Sequence, residues 1–541
     1  MTTLHSEREA KFEGTGHFDP QDLLRLPAVV QVREEAPEEL DAIYYDTAEL
    51  RLLTHGATLR RRSGGHDAGW HVKLPGAKDS GRTEVHAPLN AGEAGAVPGE
   101  LLRRVAVYAR GGDLAPVAHL RTHRRRYLLL DERERCLAEV ARDVVAAQTL
   151  GSRRQSGARA AAPGIGRARG GPDDGGTRTR ITQWSEIEVE LEDGGSDLLR
   201  AAARRLDAAG WHPSPNAHKL DQALADELAG ADDRPERSGQ SVRPGSAGEA
   251  VMGRLGGQLA ELFRTDPGVR VDEPDALHRM RSAARRLRQA LRAQRRLLDR
   301  SRTDPVAGEL HWLVGLLADA RDHEVLAERL PDQVARLRRE DPSLRPALKG
   351  LTGQVRDQER ARHDTAWRTV VDALDGPRYF ALLDALDALL SDPPLRRKAR
   401  KPAVKQLRRA AERDRRRLTK RLAAAESASE GPERERALHG ARKAARRARH
   451  TAETALPYGG KRARRLRKRT KAVQQLLGDH QDAVVARRAV LSLAAEAHRS
   501  GTDTFGYGLL YAAQAATLRA VQDGLPRVAR KARDPRLVRF A

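Results

Sequence analysis

The sequence predicts two domains of different class: an α+β N-terminal domain built on an antiparallel barrel or closed sheet, then an all-α domain of two pseudo-symmetric helical bundles. Three observations predict this. The chain has 541 residues, too many for one ordinary core. Its first 225 or so residues hold short alternating segments, whereas from about residue 249 apolar residues recur at three- and four-residue spacing. The second half also repeats itself. We place the domains at residues 1–228 and 248–535, with a polar linker over 229–247.

In the first domain the alternating segments are Ile43–Asp46, Ala57–Arg62, Trp70–Leu74, Thr83–His86, Tyr127–Asp131, Leu137–Val145 and Ser185–Leu191. Turn residues such as Ser63-Gly64-Gly65 and Pro75-Gly76 separate them. Residues 152–180 are Gly, Arg, Pro and Ala without periodicity, and read as a disordered insertion between two strands. In the second domain Leu, Ala and Val form the apolar stripes and Arg fills the other faces; Pro274, Pro305, Pro331, Pro342 and Pro457 are read as helix starts or breaks.

The duplication is specific. Leu277-His278-Arg279-Met280-Arg281 is matched by Leu438-His439-Gly440-Ala441-Arg442, and Leu316-Leu317-Ala318-Asp319 by Leu476-Leu477-Gly478-Asp479. Asp322 follows His278 by 44 residues, and Asp482 follows His439 by 43. Chance would not keep both motifs and their separation, so two related bundles are expected.

Lys and Arg number 99 against 75 Asp and Glu, a formal charge of +24. Such a field attracts polyanions. Aromatic residues make up 4%, and helix-turn-helix, zinc-finger and RNA-binding aromatic motifs are absent, which argues against nucleic acid. The single cysteine, Cys136, forms no internal disulfide or zinc spacing. No apolar run suggests a membrane span or signal segment, so a soluble, cytoplasmic protein is expected.

The chemistry of the first domain lies in its alternation. Glu7, Glu9 and Lys11 point one way on a strand, as do Arg60 and Arg62, His71 and Lys73, Arg82 and Glu84, and Glu186, Glu188 and Glu190. With Ile187, Val189 and Leu191 packed outward, the charges would line the interior. Buried charges need partners or ligands. Carboxylates hold hard divalent cations, and Arg and Lys hold phosphates.

Glu7-x-Glu9-x-Lys11, Tyr44-Tyr45-Asp46-Thr47, Leu59-Arg60-Arg61-Arg62, Trp70-His71-Val72-Lys73, Arg82-x-Glu84 and Glu186-x-Glu188-x-Glu190 together resemble the CYTH family of triphosphate tunnel metalloenzymes. The resemblance implies an eight-stranded antiparallel β-barrel tunnel that binds triphosphates with Mg2+ or Mn2+. Carried over, Glu7, Glu9, Glu186 and Glu188 are metal ligands, with Asp143 as a further ligand or supporting group. Lys11, Lys73 and Arg124 take the catalytic grip on phosphate, and Arg60, Arg62, Arg82 and Lys219 the remaining substrate contacts. Two positions depart from the family pattern: Arg142 precedes Asp143 where two adjacent aspartates are usual, and His218 stands in place of a serine before Lys219.

In the second domain His278, Arg281, Arg285 and Arg288 fall on one helical stripe, and His439, Arg442, Arg446 and Arg449 repeat it. Stacked cations repel unless carboxylates or a polyanion face them. Asp322 and Asp482 are candidates for part of that role. This half resembles the CHAD domain, which implies two four-helix bundles related by an approximate twofold and binding of inorganic polyphosphate or polyphosphate granules. The basic stretch Arg396–Arg421 has no assigned role.

The expected function joins the halves: the helical domain holds polyphosphate, and the tunnel hydrolyses tripolyphosphate or related triphosphates. The rivals are a non-catalytic polyphosphate-binding or granule protein, slightly favoured by Arg142, and a nucleotide triphosphatase or adenylyl cyclase.

Overall fold

The computed structural model describes residues 3–76, 82–93, 96–150, 180–216, 218–232 and 242–540. They fall into two compact units, Met1–Glu236 and Arg237–Ala541. The expected insertion over 152–180 lies outside the described residues apart from Arg180. Of the expected linker, residues 233–241 also lie outside them.

The first unit holds β1 (Thr3–Glu7), β2 (Glu9–Gly14), β3 (Gln31–Glu34), β4 (Glu38–Asp46), α1 (Arg51–Thr54), β5 (Thr58–Ser63), β6 (Gly69–Leu74) and β7 (Arg82–Ala87). After these come α2 (Gly99–Ala109), β8 (Ala115–Leu130), β9 (Cys136–Thr149), β10 (Ile181–Leu191), α3 (Ser196–Ala208), β11 (Trp211–Pro213), α4 (Lys219–Ala223) and α5 (Ala225–Asp232). The strands pair antiparallel in the order β1-β7-β6-β5-β4-β8-β9-β10-β2-β11, and β3 pairs with β8. No ladder joins β1 to β2, so the hydrogen-bonded path is open. The covalent chain joins them instead. Only Arg8 separates the two strands, so one N-terminal segment pairs first with β7 and then with β10. With that segment counted once and short β3 and β11 set aside, eight strands remain. This is the expected strand number, but among the described residues the hydrogen-bonded sheet is not closed.

Alternation explains how the sheet is faced. Ile187 and Val189 are fully buried with Phe12, Leu129 and Val140 beneath Leu198, Ala202 and Leu206 of α3. Burying each such aliphatic side chain contributes about 1.5–3 kcal/mol. The intervening Glu186, Glu188 and Glu190 therefore face the other way. At one end the inward face turns apolar: Tyr44, Leu120, Val145 and Ala147 pack against Leu220, Ala223 and Leu224 around α4. That contact seats Lys219, the first residue of α4.

The second unit comprises α6 (Ala247–Val269), α7 (Ala276–Ala293), α8 (Arg300–Glu340), α9 (Leu351–Leu374), α10 (Pro377–Ser391), α11 (Ala403–Ser427), α12 (Pro432–Thr454), α13 (Leu456–Arg499) and α14 (Phe505–Ala532). The duplication appears as α6–α9 and α11–α14, and α7 packs against α12. Helix α10 has no counterpart in the second copy. The long hairpins α8–α9 and α13–α14 also share a core at their far ends, where Leu330 and Val355 meet Val490 and Leu510. Two of the expected breaks are absent. Pro305 and Pro331 lie inside α8. A mid-helix proline forfeits one hydrogen bond, and at Pro331 the burial of Leu330 and Val334 in the shared core offsets that loss.

Candidate functional sites

Strand register assembles the first site. Arg124 on β8 lies opposite Asp143 on β9, and Asp143 lies opposite Glu186 on β10. One step along, Glu188 lies opposite Lys11 of β2. Alternation puts these side chains on the inward face. Arg124 grips Asp143 with two hydrogen bonds, Nε to Oδ1 at 2.8 Å and Nη2 to Oδ2 at 2.6 Å, and donates to Glu188 Oε2 at 2.7 Å. Lys11 Nζ donates to Glu188 Oε1 at 2.6 Å. Lys219 enters from α4 and touches all three carboxylates: Glu186 at 2.6 Å, Glu188 at 2.7 Å and Asp143 at 3.0 Å.

Burial alone would raise the carboxylate pKa values. For Asp143 the opposing cations Arg124 and Lys219 win, and for Glu188 Lys11, Lys219 and Arg124 win; both carboxyls are held below the usual range, Glu188 well below it. Oxygens of Asp143, Glu186 and Glu188 lie within 4.8 Å of one another. Three converging carboxylates are a hard oxygen donor set, so these residues fit a divalent cation such as Mg2+ or Mn2+. The Lys219 ammonium stands at that centre.

Across the cavity Arg60 donates to the Tyr44 hydroxyl at 3.2 Å, and Lys73 lies 3.7 Å from Glu84. His71 is buried, bonded through Nδ1 to Glu84 at 2.8 Å and through Nε2 to the Asp67 carbonyl at 3.0 Å. Burial, outweighing the Glu84 contact, pushes its pKa down to about 3. Arg62 is ion-paired with Asp67. Burial and the nearby Arg60 and Arg124 guanidinium groups press its pKa down to about 9, so it stays charged at neutral pH under repulsion that an anion would relieve. The enclosed space is about 90 Å3, bordered by Glu9, Lys11, Arg60, Arg62, Lys73 and Arg124 among others.

Most residues chosen from sequence converge on this cavity. Glu9 does so away from the triad: it lies opposite Glu190, one step beyond the Lys11–Glu188 pair, and Asp143 completes the cluster with Glu186 and Glu188. The Glu7 and Arg82 backbones are paired with each other across β1 and β7, and their side chains lie outside the described residues. Arg142 lies opposite Ile187 and Arg125, on the face of β9 away from Asp143, so its charge is not in the cavity. His218 is the N-cap residue of α4, with its backbone N–H donating to Asp221 Oδ2 at 2.7 Å. Tyr44 and Glu190 stand in the sequence motifs but were assigned no ligand or substrate role, and Asp67 was not singled out. Burial, reinforced by Glu9 and Glu188 and opposed by Lys73, raises Glu190 to about 7. Its place in the Glu186-x-Glu188-x-Glu190 alternation was the available signal; Asp67, in a loop, gave none.

The second site lies between α7 and α12. Arg285 is pushed down to about 9 by burial and then by Arg446, Arg281, Arg286 and Arg442. Arg446 is pushed down to about 10 by burial and then by Arg442, Arg281, Arg288 and Arg449. The two stripes thus meet as one cationic cluster. Buried Nε atoms of Arg281, Arg288, Arg442 and Arg446 lack a hydrogen-bond partner. Arg281 reaches Asp322 at 3.3 Å, and Asp482 acts on both Asp322 and Arg442. Arg449 differs from the rest: it pairs with Glu453 at 2.8 Å along its own helix and with Gln474 at 3.4 Å. His278 and His439 lie beside the stripes, both depressed by burial and then by neighbouring cations, Arg321 and Lys443 respectively.

A charge-lined antiparallel sheet domain followed by a duplicated, arginine-faced helical domain defines a two-module architecture. The CYTH domain family matches residues 5–210 and the CHAD domain family residues 253–491. The uncharacterized protein Rv2226 of Mycobacterium tuberculosis (strain ATCC 25618 / H37Rv) is 36% identical over 548 residues, covering 98% of each chain. The chain belongs to the family of proteins that join a CYTH domain to a CHAD domain. Among solved structures, PptA from Streptomyces chartreusis is 24% identical, covers 52% of this chain and 99% of its own, and superposes with a TM-score of 0.43. The CHAD domain from the plant Ricinus communis is 28% identical, with 54% and 97% coverage and a TM-score of 0.40. CYTH domains are those of triphosphate-acting, metal-dependent tunnel enzymes, a family that includes both triphosphatases and cyclases.

Proposed function

We propose that the tunnel hydrolyses tripolyphosphate or related triphosphates and that the α7–α12 groove binds inorganic polyphosphate. The observation carrying the first half is that a carboxylate triad meets, through Glu188, a cavity ringed by phosphate-gripping cations. Asp143, Glu186 and Glu188 would hold Mg2+ or Mn2+, with Glu9 and Glu190 as a second acidic pair. The bound cation would polarise a phosphoryl oxygen and lower the pKa of water. Lys11, Arg60, Arg62, Lys73 and Arg124 bind and orient the phosphates and neutralise charge that develops on the leaving oxygens. The buried setting of Arg62 and Arg124 keeps these contacts strong.

In the helical unit Arg281, Arg288, Arg442 and Arg446 each have a buried guanidinium Nε without a hydrogen-bond partner, and with Arg285 they form a cluster whose guanidinium groups suit contact with phosphate oxygens. A chain held there raises the local concentration of substrate ends for the tunnel. The setting we propose is cytoplasmic, with association to polyphosphate granules. No helix among the described residues is long and apolar enough to cross a membrane.

A second reading, binding without hydrolysis, is favoured by one observation: Lys219 Nζ lies within 3.0 Å of all three carboxylates. The nucleotide reading is weakened because Tyr44 is the sole Phe, Tyr or Trp among the described lining residues, and its hydroxyl already meets Arg60. Phosphate release from tripolyphosphate, ATP and long polyphosphate, with and without Mg2+ or Mn2+, separates the three. Metal-dependent release from tripolyphosphate supports hydrolysis. Chain binding without release supports the second reading, and a preference for ATP the third.

A further inference from the structure

The basic stretch at the start of α11 closes a separate cavity of about 140 Å3 against the C-terminal end of α7. Five cations line it: Arg296, Lys398, Lys401, Arg409 and Arg413. No carboxylate lines it, and among the described residues none of the five forms an ion pair. Gln294 also lines it. That side chain is 3% exposed, and its Nε2 is buried without a hydrogen-bond partner. A buried donor left unmade costs about 1–3 kcal/mol, and five exposed cations converge around one cavity, where water screens but does not remove their mutual repulsion. Both are relieved by the same thing, a compact anion with several acceptor oxygens.

The size and lining define the ligand further. At about 140 Å3 the cavity has room for a phosphoryl group. No aromatic side chain offers a stacking surface. Arg409, Arg413 and Arg417 recur at four-residue steps on α11, which places them on one line. Arg417 borders a larger cavity of about 520 Å3 together with Arg288, Arg292 and Arg447. Arg288 belongs to the α7 stripe, so basic residues continue from the α7–α12 groove to this pocket.

We propose that the Gln294 pocket is a second anion site, taking a single phosphoryl group, either free phosphate or one unit of a polyphosphate chain whose body lies in the α7–α12 groove. The chain form rests on the groove reading above; the free-phosphate form does not.

The test uses the full chain and three double variants with helical content checked by circular dichroism. R409Q/R413Q removes charge from the pocket, R281Q/R285Q from the groove, and K405Q/R408Q from α11 side chains that do not line the pocket. Binding of inorganic phosphate and of long polyphosphate is measured by calorimetry for each. Phosphate binding lost in R409Q/R413Q and kept in the other two supports the free-anion form. Silent phosphate, with long-chain affinity falling about tenfold in R409Q/R413Q and far less in K405Q/R408Q, supports the chain form. R409Q/R413Q behaving like K405Q/R408Q toward both ligands overturns the proposal, while a loss in R281Q/R285Q would still uphold the groove. Should the wild type bind no polyphosphate, the groove reading fails and the phosphate measurement alone decides the pocket: loss in R409Q/R413Q upholds it, and no phosphate binding overturns it.

Discussion

Replacing Lys219 by Met keeps the length and apolar stem of the side chain and deletes its ammonium. Its effect follows from what each carboxylate retains. Glu188 keeps Lys11 and Arg124, and Asp143 keeps Arg124. Glu186 keeps the hydrogen bond donated by Trp184 Nε1 at 2.7 Å but no cation among the described residues. The lysine side chain is 9% exposed, so solvent screens little of the loss. One buried carboxylate is left without its cation, a change that costs about 3–5 kcal/mol. A divalent cation supplies the missing charge and binds the folded state, which at about a hundredfold its Kd restores about 2.7 kcal/mol. K219M should therefore be strongly destabilised in chelator and largely rescued by Mn2+, and its affinity for Mn2+ should exceed that of the wild type. Equilibrium denaturation followed by tryptophan fluorescence, with and without Mn2+, measures the first effect, and calorimetric titration the second. An unchanged stability in chelator, or a deficit that Mn2+ leaves untouched, would refute the idea that Lys219 holds the place of a cation.

Three further outcomes are expected. Glu188→Gln should abolish metal-dependent phosphate release while leaving polyphosphate binding by the helical unit unchanged, and undiminished release would remove Glu188 from the metal set. Neutralising Arg281 and Arg285, or Arg442 and Arg446, should weaken long-chain binding by on the order of one to a few kcal/mol and flatten its salt dependence, with short chains losing less; equal losses at all lengths would count against a shared groove. Glu453 is buried, which alone would raise its pKa, but His450, Arg254 and Arg449 outweigh this and hold it at about 2. A depressed carboxyl contributes stability above its ordinary value of 4.5 that is lost as pH falls toward about 2. Glu453→Gln should cost about 3 kcal/mol at neutral pH and flatten the acid limb of the stability curve between those values, and a parallel acid limb in the variant would contradict the assignment.

The alternation in Glu186-Ile187-Glu188-Val189-Glu190 revealed both faces of β10, because period two ties each apolar neighbour to an outward position. The repeated Leu-His motif likewise marked α7 and α12 before their packing was known. What remained hidden depends on long-range contact. Lys11 meets Glu188 across 177 residues of sequence, and nothing local shows that Lys219 will enter the same triad from α4. Asp67 lies in a loop without periodicity, although it pairs with Arg62. Pro331 reads as a break because local chemistry disfavours it, yet tertiary packing carries α8 through it. Arg142 looked like a lost metal ligand until strand register put it on the outer face.

The central claim is that a metal-holding carboxylate triad borders, through Glu188, a cavity whose cations grip a triphosphate. Its most direct test is phosphate release from tripolyphosphate by the full chain and by Glu188→Gln, measured in chelator and in Mg2+ or Mn2+. The account predicts release by the wild type only with metal and none by the variant under any condition. Metal-independent release, or equal release by both proteins, would contradict it.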